Sequence, residues 1–313
     1  MAHDPRIRVT LSHLRSLQGA ARGLSFLPRQ PANSVLNGQH ASRLRGRGLN
    51  FEEMRDYLPG DDVRSIDWKA TARTGSPHVR VYTEERDRPA LLVVDQRMSM
   101  FFGTTRNMKS VTAAEAAALS AFRILRANDR VGGIVFGDER QVELAPRRSQ
   151  RTVFAMLDAI ADMNQSLHAD KEVEAAPGRL NQVLEAVGRL AKHDHLVLVF
   201  SDFSGIDAST QRRLTTIAGH NDLVLMLVYD PVAERLEPGA RAVLGDTRLQ
   251  AEIDLASPRT IEAIGGFSRE RLRQIRHWQQ EIRLSVLPLS AGEETLAQLR
   301  RLMGLAASRR TSR

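Results

Sequence analysis

The feature that most constrains the fold of this 313-residue chain is a series of short, wholly apolar runs separated by helical patterns. Ala90–Val94 ends at Asp95, and His195–Phe200 ends at Ser201-Asp202. Apolar runs of this length are typical of parallel strands covered on both faces. Two more strands and five helices are predicted, in chain order, at 107–127, 151–163, 178–192, 208–219, Leu223–Tyr229, Ser257 to about 281, and Arg283–Leu287. Strands that alternate with helices predict a doubly wound, mostly parallel α/β sheet.

Two glycine-containing turns predict β-hairpins within this pattern. Val131–Phe136 and Gln141–Leu144 flank Gly137, and residues 241–254 contain Gly245-Asp246 between two alternating stretches. The second hairpin is expected as an insertion before the penultimate helix. Ser290–Glu293 has the pattern of a capping box, so we expect the C-terminal helix to begin there.

The N-terminal third of the chain has a different character from the α/β pattern. Apolar residues at helical spacing predict a helix over residues 7–28, and residues 29–50 have the composition of a loop or arm. We therefore expect four parts, which are a basic N-terminal helix and arm (1–45), a segment packed on the sheet (46–88), the α/β domain (89–305) and a basic tail (306–313).

Composition excludes several classes of site. The chain has no cysteine, which excludes disulfides, thiolate zinc sites, iron–sulfur clusters and cysteine nucleophiles. Its longest apolar runs are far shorter than the ~20 residues of a membrane-spanning helix. The first residues lack the basic and apolar pattern of a signal peptide. We therefore expect a cytoplasmic protein without a transmembrane segment.

The net charge of +8 is concentrated at the two ends of the chain. Residues 1–50 contain eight arginines and one acid, and residues 300–313 contain five arginines and no acid, so the region between them is acidic. The ends lack the interleaved aromatic residues of a surface that binds single-stranded nucleic acid. A solvated basic arm without specific nucleic-acid binding is therefore expected, and binding of the arm to nucleic acid or an anionic membrane is the alternative.

Two carboxylates stand where an open parallel sheet binds its ligands. Asp95 and Asp202 each follow an apolar strand directly, with Ser99 and Ser204 close behind them. Ligands bind beyond the carboxyl ends of such strands, where the strand order reverses. Carboxylates and hydroxyls on adjacent loops suit Mg²⁺ or Mn²⁺, while capping of the following helices is the structural alternative.

Two resemblances involve this region. Asp95-Gln96-Arg97-Met98-Ser99 resembles the Asp-x-Ser-x-Ser motif that opens a von Willebrand factor A domain and forms part of its metal-ion-dependent adhesion site. Upstream, residues 46–68 read GRGLNFEEMRDYLPGDDVRSIDW and closely resemble the signature of the bacterial "domain of unknown function 58" family. That likeness continues through residues 71–75 and 80–85. The resemblance implies a von Willebrand A-like domain, and a MoxR-type AAA+ ATPase as partner.

The chain departs from the adhesion-site motif at two positions. Arg97 stands at the first serine position, and Arg179 stands at the nearest counterpart of the motif's separate threonine. An arginine is always charged and binds carboxylates in bidentate fashion. We therefore expect a degenerate site in which Arg97, with Arg179, replaces the cation between the two aspartates. The alternative is that Arg97 points to solvent, with Asp95, Ser99 and Asp202 as the remaining metal ligands.

The signature segment combines alternating charges with aromatic residues. Leu58-Pro59-Gly60 predicts a turn, with a short helix capped by one of the aspartates that follow it. Ile66 and Trp68 are expected to be apolar anchors. The charges predict an ion-pair network that ties the segment to the sheet or, if exposed, forms a polar docking face. The residues singled out in this segment are Arg55, Tyr57, Gly60, Asp61, Asp62, Arg64, Asp67, Trp68 and Arg73.

The function expected from the resemblance is that of a non-enzymatic adaptor. It would present the face around Asp95 and Asp202, modified by Arg97, Arg179 and Ser204, to a MoxR-type ATPase or its client. Arg97 would offer a direct salt bridge to an acid of the partner. The enzymatic alternative is a metal-dependent hydrolase that uses the aspartates Asp61, Asp62, Asp67, Asp95 and Asp202.

Overall fold

The computed structural model describes residues 4–24, 49–58, 63, 66–84, 89–168, 178–231, 241–245, 250–254, 271, 273–275, 277–282 and 284–302. The chain forms two compact units. The larger unit combines Met1–Gly38 with Arg88–Arg313, and the smaller unit is Gln39–Asp87. The N-terminal helix therefore belongs to the same unit as the α/β elements, although we expected residues 1–45 as a separate helix and arm.

The described helices and strands follow the predicted alternation along the chain. The helices are α1 (Leu11–Ala20), α2 (Trp68–Thr74), α3 (Lys109–Arg126), α4 (Gln150–Gln165), α5 (Arg179–Leu190), α6 (Ala208–His220), α7 (helical at 271, 273–275 and 277–282) and α8 (Thr295–Leu302). The strands are β1 (Leu49–Asp56), β2 (His78–Glu84), β3 (Ala90–Asp95), β4 (Val131–Phe136), β5 (Gln141–Arg147), β6 (Leu196–Ser201), β7 (Asp222–Tyr229), β8 (Arg241–Gly245), β9 (Gln250–Asp254) and β10 (Ser285–Ser290).

Six strands of the larger unit form one sheet in the order β10-β7-β6-β3-β4-β5. Neighbouring strands are parallel except for β5, which runs antiparallel to β4 at the edge. The prediction of a doubly wound, mostly parallel sheet is confirmed. The inserted hairpin is present as β8 and β9, which pair with each other in antiparallel fashion.

Both faces of the sheet are covered, as the wholly apolar strands predicted. Leu92 and Val94 of β3 pack into a core with side chains of α1, α3, α4 and α8. Leu91 and Val93 point the other way, into a core with α5, α6 and α7. This alternation follows from the two-residue repeat of a strand, because successive side chains point to opposite faces.

Helix α3 is the most buried helix described in the larger unit. Its alanines, among them Ala113, Ala117 and Ala121, are fully buried. Small side chains let a helix approach its neighbours closely, so α3 packs against the sheet, α1 and α4 at once. Lys109, the first residue of α3, follows the loop that leaves the carboxyl end of β3.

Two predicted boundaries in the larger unit were wrong. The helix predicted over residues 7–28 begins only at Leu11, because Thr10 caps its first turn by accepting from the backbone N–H of His13. It runs to Ala20, a 3₁₀ turn follows at Ala21–Gly23, and residues 25–28 lie outside the described part of the chain. The last strand was predicted at Arg283–Leu287 and is found at Ser285–Ser290. Ser290 does not cap the last helix, which begins at Thr295, and its hydroxyl instead accepts from Gly292. The predicted helix start at Ser257 lies outside the described residues.

The smaller unit is built on an antiparallel pair of strands. β1 and β2 pair along their length, with α2 between them in the chain. Asp67 caps α2 by accepting from the backbone N–H groups of Lys69 and Ala70, at 3.0 Å each. Gly75, in the left-handed conformation with φ of 79°, ends that helix.

The signature residues in this unit take roles that partly differ from the predictions. The expectation that Asp61 or Asp62 caps the short helix concerns residues outside those described, and Gly60 and Arg64 also lie outside them. The described helix α2 is capped by Asp67. Trp68 is 69% exposed, so it is not the predicted apolar anchor. Ala70 is the buried residue in that turn. Arg55 lies in β1, the backbone N–H of Tyr57 donates to Pro77, and Arg73 lies in the last turn of α2.

None of the helices in the described part of the chain has both the length and the apolar character that crossing a membrane requires.

Candidate functional site

The site lies where the strand order of the sheet reverses. β3 and β6 are neighbours in the middle of the sheet, and the chain continues from β3 to β4 on one side and from β6 to β7 on the other. Asp95 is the last residue of β3, and Asp202 directly follows β6. Both aspartates are buried, with 0% and 3% of their surface exposed. The structure therefore brings the two predicted carboxylates to one crevice, at the carboxyl edge of the sheet.

Arg97 forms a two-pronged ion pair with Asp95. Its Nε lies 3.0 Å from Oδ1, and its Nη2 lies 2.7 Å from Oδ2. The backbone N–H of Arg97 also donates to Oδ1 at 3.0 Å. Only 4% of Arg97 is exposed, so the alternative in which its side chain points to solvent does not fit this geometry. The remaining guanidinium nitrogen, Nη1, donates to the carbonyl of Ser204.

Local geometry makes the pair between residues so close in sequence possible. Met98–Met100 forms a single 3₁₀ turn, and the N–H of Met100 donates to the carbonyl of Arg97. The guanidinium carbon lies 5.6 Å from the centre of the Phe136 ring at the end of β4. The ring of the neighbouring strand therefore supports the charged group from one side.

Asp95 also accepts a hydrogen bond from a serine that the sequence analysis did not single out. The hydroxyl of Ser201 donates to Asp95 Oδ2 at 2.6 Å, and it accepts from the backbone N–H of Phe203 at 2.9 Å. Ser201 is fully buried at the end of β6. The signal that points to it is a hydroxyl directly before an aspartate at a strand end.

Asp202 is surrounded by positive groups from three parts of the chain. Lys109 Nζ lies 2.6 Å from its Oδ2, and Arg97 Nη2 lies 3.9 Å from its Oδ1. Arg271 Nη1 lies 3.8 Å from Oδ2 and donates to the Asp202 carbonyl at 3.1 Å. The Ser99 hydroxyl and the Ser204 N–H donate to Oδ1, at 3.3 and 2.9 Å.

The charges in the crevice shift the pKa values of its members. Burial alone would raise the pKa of Asp202, but the attraction of Lys109, followed by Arg97 and Arg271, holds it well below its usual range. Burial alone would lower the pKa of Arg97, but Asp95, Asp202 and Asp138 together outweigh burial, and the pKa of Arg97 lies above its ordinary value. Both groups are therefore charged at neutral pH.

Arg179 does not join this cluster, in contrast to the expectation that it pairs with the aspartates. Its Nε donates to the carbonyl of Gly137, and its Nη1 donates to Gln182 Oε1, at 3.1 Å each. Within the described part of the chain, no carboxylate forms an ion pair with it. Burial lowers the pKa of Arg179, the attraction of Asp138 opposes this shift, and the positive charge of Arg97 adds to it. Arg179 is thus a half-buried cation beside the crevice and outside its ion-pair cluster.

The oxygen atoms of the crevice do not fit a divalent cation as they stand. Both oxygens of Asp95 accept from the Arg97 guanidinium, and both oxygens of Asp202 accept hydrogen bonds, Oδ2 from the Lys109 ammonium. Nowhere in the described ranges do three side chains of His, Asp or Glu converge as ligands for one metal ion. A metal would have to displace at least one of these cations to reach either carboxylate.

Sequence reasoning missed Lys109 and Arg271 as members of the site. Lys109 lies 93 residues from Asp202 in the chain, and Arg271 lies 69 residues from it. A single charged residue at the start of a helix, or outside the apolar pattern of a helix, does not show from the sequence alone which residue it pairs with. Only the packing of α3 and α7 on opposite faces of the sheet brings both to the same carboxylate.

Comparison with known proteins identifies the family. Residues 53–264 match the family model described as "Protein of unknown function DUF58". Over 230 residues the chain is 32% identical to an uncharacterized protein of Mycobacterium bovis, which covers 74% of this chain and 70% of that protein. Two uncharacterized proteins of Mycobacterium tuberculosis match with the same identity and coverage. The chain therefore belongs to the DUF58 family of proteins of unknown function.

Proposed function

We propose that this protein is a cytoplasmic, non-enzymatic adaptor whose α/β unit is von Willebrand A-like and binds a MoxR-type AAA+ ATPase or its client. The strand order supports the von Willebrand A-like assignment, because it leaves a crevice where the resemblance puts the metal-site residues. The contact face is the carboxyl edge of the sheet, around the crevice of Asp95 and Asp202.

The observation that carries the proposal is the internal neutralisation of the two aspartates. Arg97 holds Asp95, and Lys109 holds Asp202. A hydrolytic site needs a carboxylate that can take a proton or bind a metal, and these carboxylates are already bound to fixed cations. A buried, mutually satisfied ion-pair cluster instead holds the loops around it in one arrangement. Such preorganisation reduces the entropy that a binding surface loses on association.

The loop between β3 and α3 contributes the exposed part of this face. Thr104, Thr105 and Arg106 are exposed there. The N–H and hydroxyl of Thr104 donate to the two oxygens of Asp230, at 2.8 and 2.6 Å, which ties the loop to the end of β7. Arg179 adds a half-buried cation, whose side chain donates to the Gly137 carbonyl and to Gln182 and is attracted by Asp138. The face therefore suits a partner with acidic residues.

Arg97 itself is not the cation that a partner meets. Its side chain is 5% exposed, and all three of its nitrogens already donate or pair within the crevice. The sequence-based expectation of a direct salt bridge from Arg97 to a partner is therefore replaced by contacts from Arg106 and Arg179. Arg97 has the role of the cation inside the site, so the proposal requires no Mg²⁺ or Mn²⁺ for binding.

The test is binding of the purified full chain to the purified MoxR-type ATPase from the same organism, measured by biolayer interferometry. Arg106→Glu reverses a charge on the contact face, and Arg126→Glu is its matched control. Both arginines are exposed, but Arg106 precedes α3, whereas Arg126 is the last residue of α3, at the end of the helix away from the contact face. We expect Arg106→Glu to weaken binding about tenfold or more and Arg126→Glu to leave it unchanged.

Two results would contradict the proposal. One is equal binding by the wild type and Arg106→Glu, or no binding by either. The other is metal-dependent turnover of phosphoester or peptide substrates by the wild type, lost in Asp95→Asn, which would support a hydrolase. Addition of a chelator to the binding assay tests separately whether binding requires a metal ion, and we expect it to have no effect.

A further inference from the structure

The segment that precedes α1 contacts both the start of α3 and the end of α4. The carbonyl of Arg6 accepts from the backbone N–H of Met108 at 2.8 Å, one residue before α3. The backbone N–H of Val9 donates to Asn164 Oδ1 at 2.8 Å, near the end of α4. Val9 is fully buried. The segment therefore joins α4 to the start of the helix whose first residue, Lys109, holds Asp202.

A buried side-chain relay continues from this segment to the ion pair itself. Asn164 Nδ2 donates to Gln96 Oε1 at 2.8 Å, and Gln96 Nε2 donates to the carbonyl of Ser110 at 3.0 Å. Gln96 stands between Asp95 and Arg97 in the chain. Asn164 and Gln96 are 0% and 1% exposed, so water does not replace a lost partner unless the structure opens.

Helix α1 is held to α3 by a second contact, farther from the crevice. His13 Nε2 lies 2.8 Å from Glu115 Oε1, and the other oxygen of Glu115 accepts from the hydroxyl of Thr295 in α8 at 2.5 Å. Leu14 is fully buried in the same core as α3 and α4. Helix α1 is thus held by an apolar contact through Leu14 and by a polar contact through His13.

We propose that residues 4–20 act as a strap that holds the crevice loop, residues 96–110, in its binding arrangement, and that Asn164 is the residue through which the strap positions it. When the strap is docked, the Val9 N–H fills one acceptor position of Asn164, and the Asn164 amide orients Gln96. When the strap is released, Asn164 loses its backbone donor and Met108 loses its acceptor. The crevice loop then opens by local unfolding, and Arg97 and Lys109 lose their fixed positions.

The structural part of this proposal is tested by hydrogen exchange measured by mass spectrometry on the full chain. Leu14→Ala removes the apolar anchor of the strap, and Leu184→Ala in α5 is the matched control. Both leucines are buried, but Leu184 packs in the core on the opposite face of the sheet. We expect Leu14→Ala to speed exchange about tenfold in residues 4–20 and also in residues 96–110. Leu184→Ala should leave both segments at the wild-type rate.

A milder variant covers the case in which Leu14→Ala does not fold. His13→Ala removes only the contact with Glu115, at a residue that is 31% exposed in its side chain. It should produce a smaller rise in exchange in the same two segments. Faster exchange in residues 4–20 without any change in residues 96–110, in either variant, would overturn the strap.

Binding of the MoxR-type ATPase tests the functional part, which rests on the proposed function. We expect the variant with the released strap to bind more weakly than wild type. Faster exchange in residues 96–110 with unchanged binding would locate the failure in the proposed contact face and leave the strap intact. Slower or unchanged exchange with weakened binding would reject the strap and leave the contact face standing.

Discussion

Arg97 and Asp95 are joined through two nitrogens and two oxygens, at 3.0 and 2.7 Å, although they are only two residues apart. The pair is buried at the point where the strand order of the sheet reverses. In a sheet of this kind that crevice is where a ligand binds. Here the guanidinium of Arg97 brings a positive charge from the chain itself into that crevice.

The second aspartate extends this internal compensation. Asp202 is held by Lys109 from one layer of helices and by Arg271 from the other. The cluster therefore links both helical layers to the switch point of the sheet. Substitution of any one of these cations should therefore affect both aspartates, and its effect on the protein can be measured.

Removal of the Arg97 side chain should destabilise the protein strongly. Arg97→Ala leaves Asp95 as a buried carboxylate without its cation, and breaking one side of such a pair costs about 3–5 kcal/mol. Urea unfolding followed by circular dichroism measures this loss. Arg179→Ala is the control, because its hydrogen bonds go to neutral acceptors, and we expect a loss of only about 1 kcal/mol. Similar losses in the two variants would show that the ion pair does not carry the difference.

Removal of the internal cations should create a response to metal that the wild type lacks. In Arg97→Ser combined with Lys109→Met, Asp95 loses its positive partner, Asp202 keeps only Arg271 of the cations described around it, and a hydroxyl stands in place of the guanidinium. Carboxylates and hydroxyls on adjacent loops suit Mn²⁺ or Mg²⁺. We expect millimolar Mn²⁺ to raise the melting temperature of the double variant and to leave that of the wild type unchanged.

A third substitution checks that the metal acts at the crevice. Asp95→Asn, added to the double variant, should abolish the response to Mn²⁺. A rise in the wild-type melting temperature that is equal to that of the double variant would mean that Arg97 and Lys109 do not exclude a metal.

The core of the fold was predictable because its strands carry an unambiguous pattern. Ala90–Asp95 and Leu196–Ser201 are buried along almost their whole length, and only a strand covered on both faces needs that composition. The boundaries of α1 and β10 were not predictable in the same way. Val9 packs in the core although it precedes α1, and the apolar pattern cannot distinguish it from a residue of the helix. β10 continues through Pro288 to Ser290 at the edge of the sheet, where a proline is tolerated.

Only the part of the candidate site that lies at strand ends was predictable from the sequence. Asp95 and Asp202 follow strands, and the rule for parallel sheets places strand ends together. Lys109 and Arg271 lie in helices, and their contact with Asp202 depends on the angles and depths at which those helices pack. Arg179 shows the opposite error, because a position in a motif placed it with the aspartates and the structure places it on the Gly137 carbonyl.

The strap should loosen as the pH rises. The hydrogen bond with Glu115 raises the pKa of His13 above its ordinary value, in spite of partial burial. The stabilisation from protonated His13 is therefore fully present below the unfolded pKa of about 6.5 and is lost as the pH rises through the raised value. Hydrogen exchange in α1, corrected for the intrinsic rate, should become faster as the pH rises above about 6.5. His13→Gln should remove that dependence, and an unchanged dependence in the variant would assign it to another group.

Lys109 should set the resistance of the protein to acid. The depressed pKa of Asp202 means that its stabilisation is present above the unfolded value of about 3.9 and is lost only as the pH falls through the lower folded value. Lys109→Met removes the strongest attraction at this carboxylate, and burial then acts to raise its pKa. We expect the midpoint of acid unfolding, followed by circular dichroism, to move to higher pH by about one unit. Lys192→Met removes an exposed lysine and serves as the control, whose midpoint should match the wild type. Equal midpoints for the two variants would mean that Arg97 and Arg271 suffice to keep Asp202 ionised, and that Lys109 contributes position but not charge.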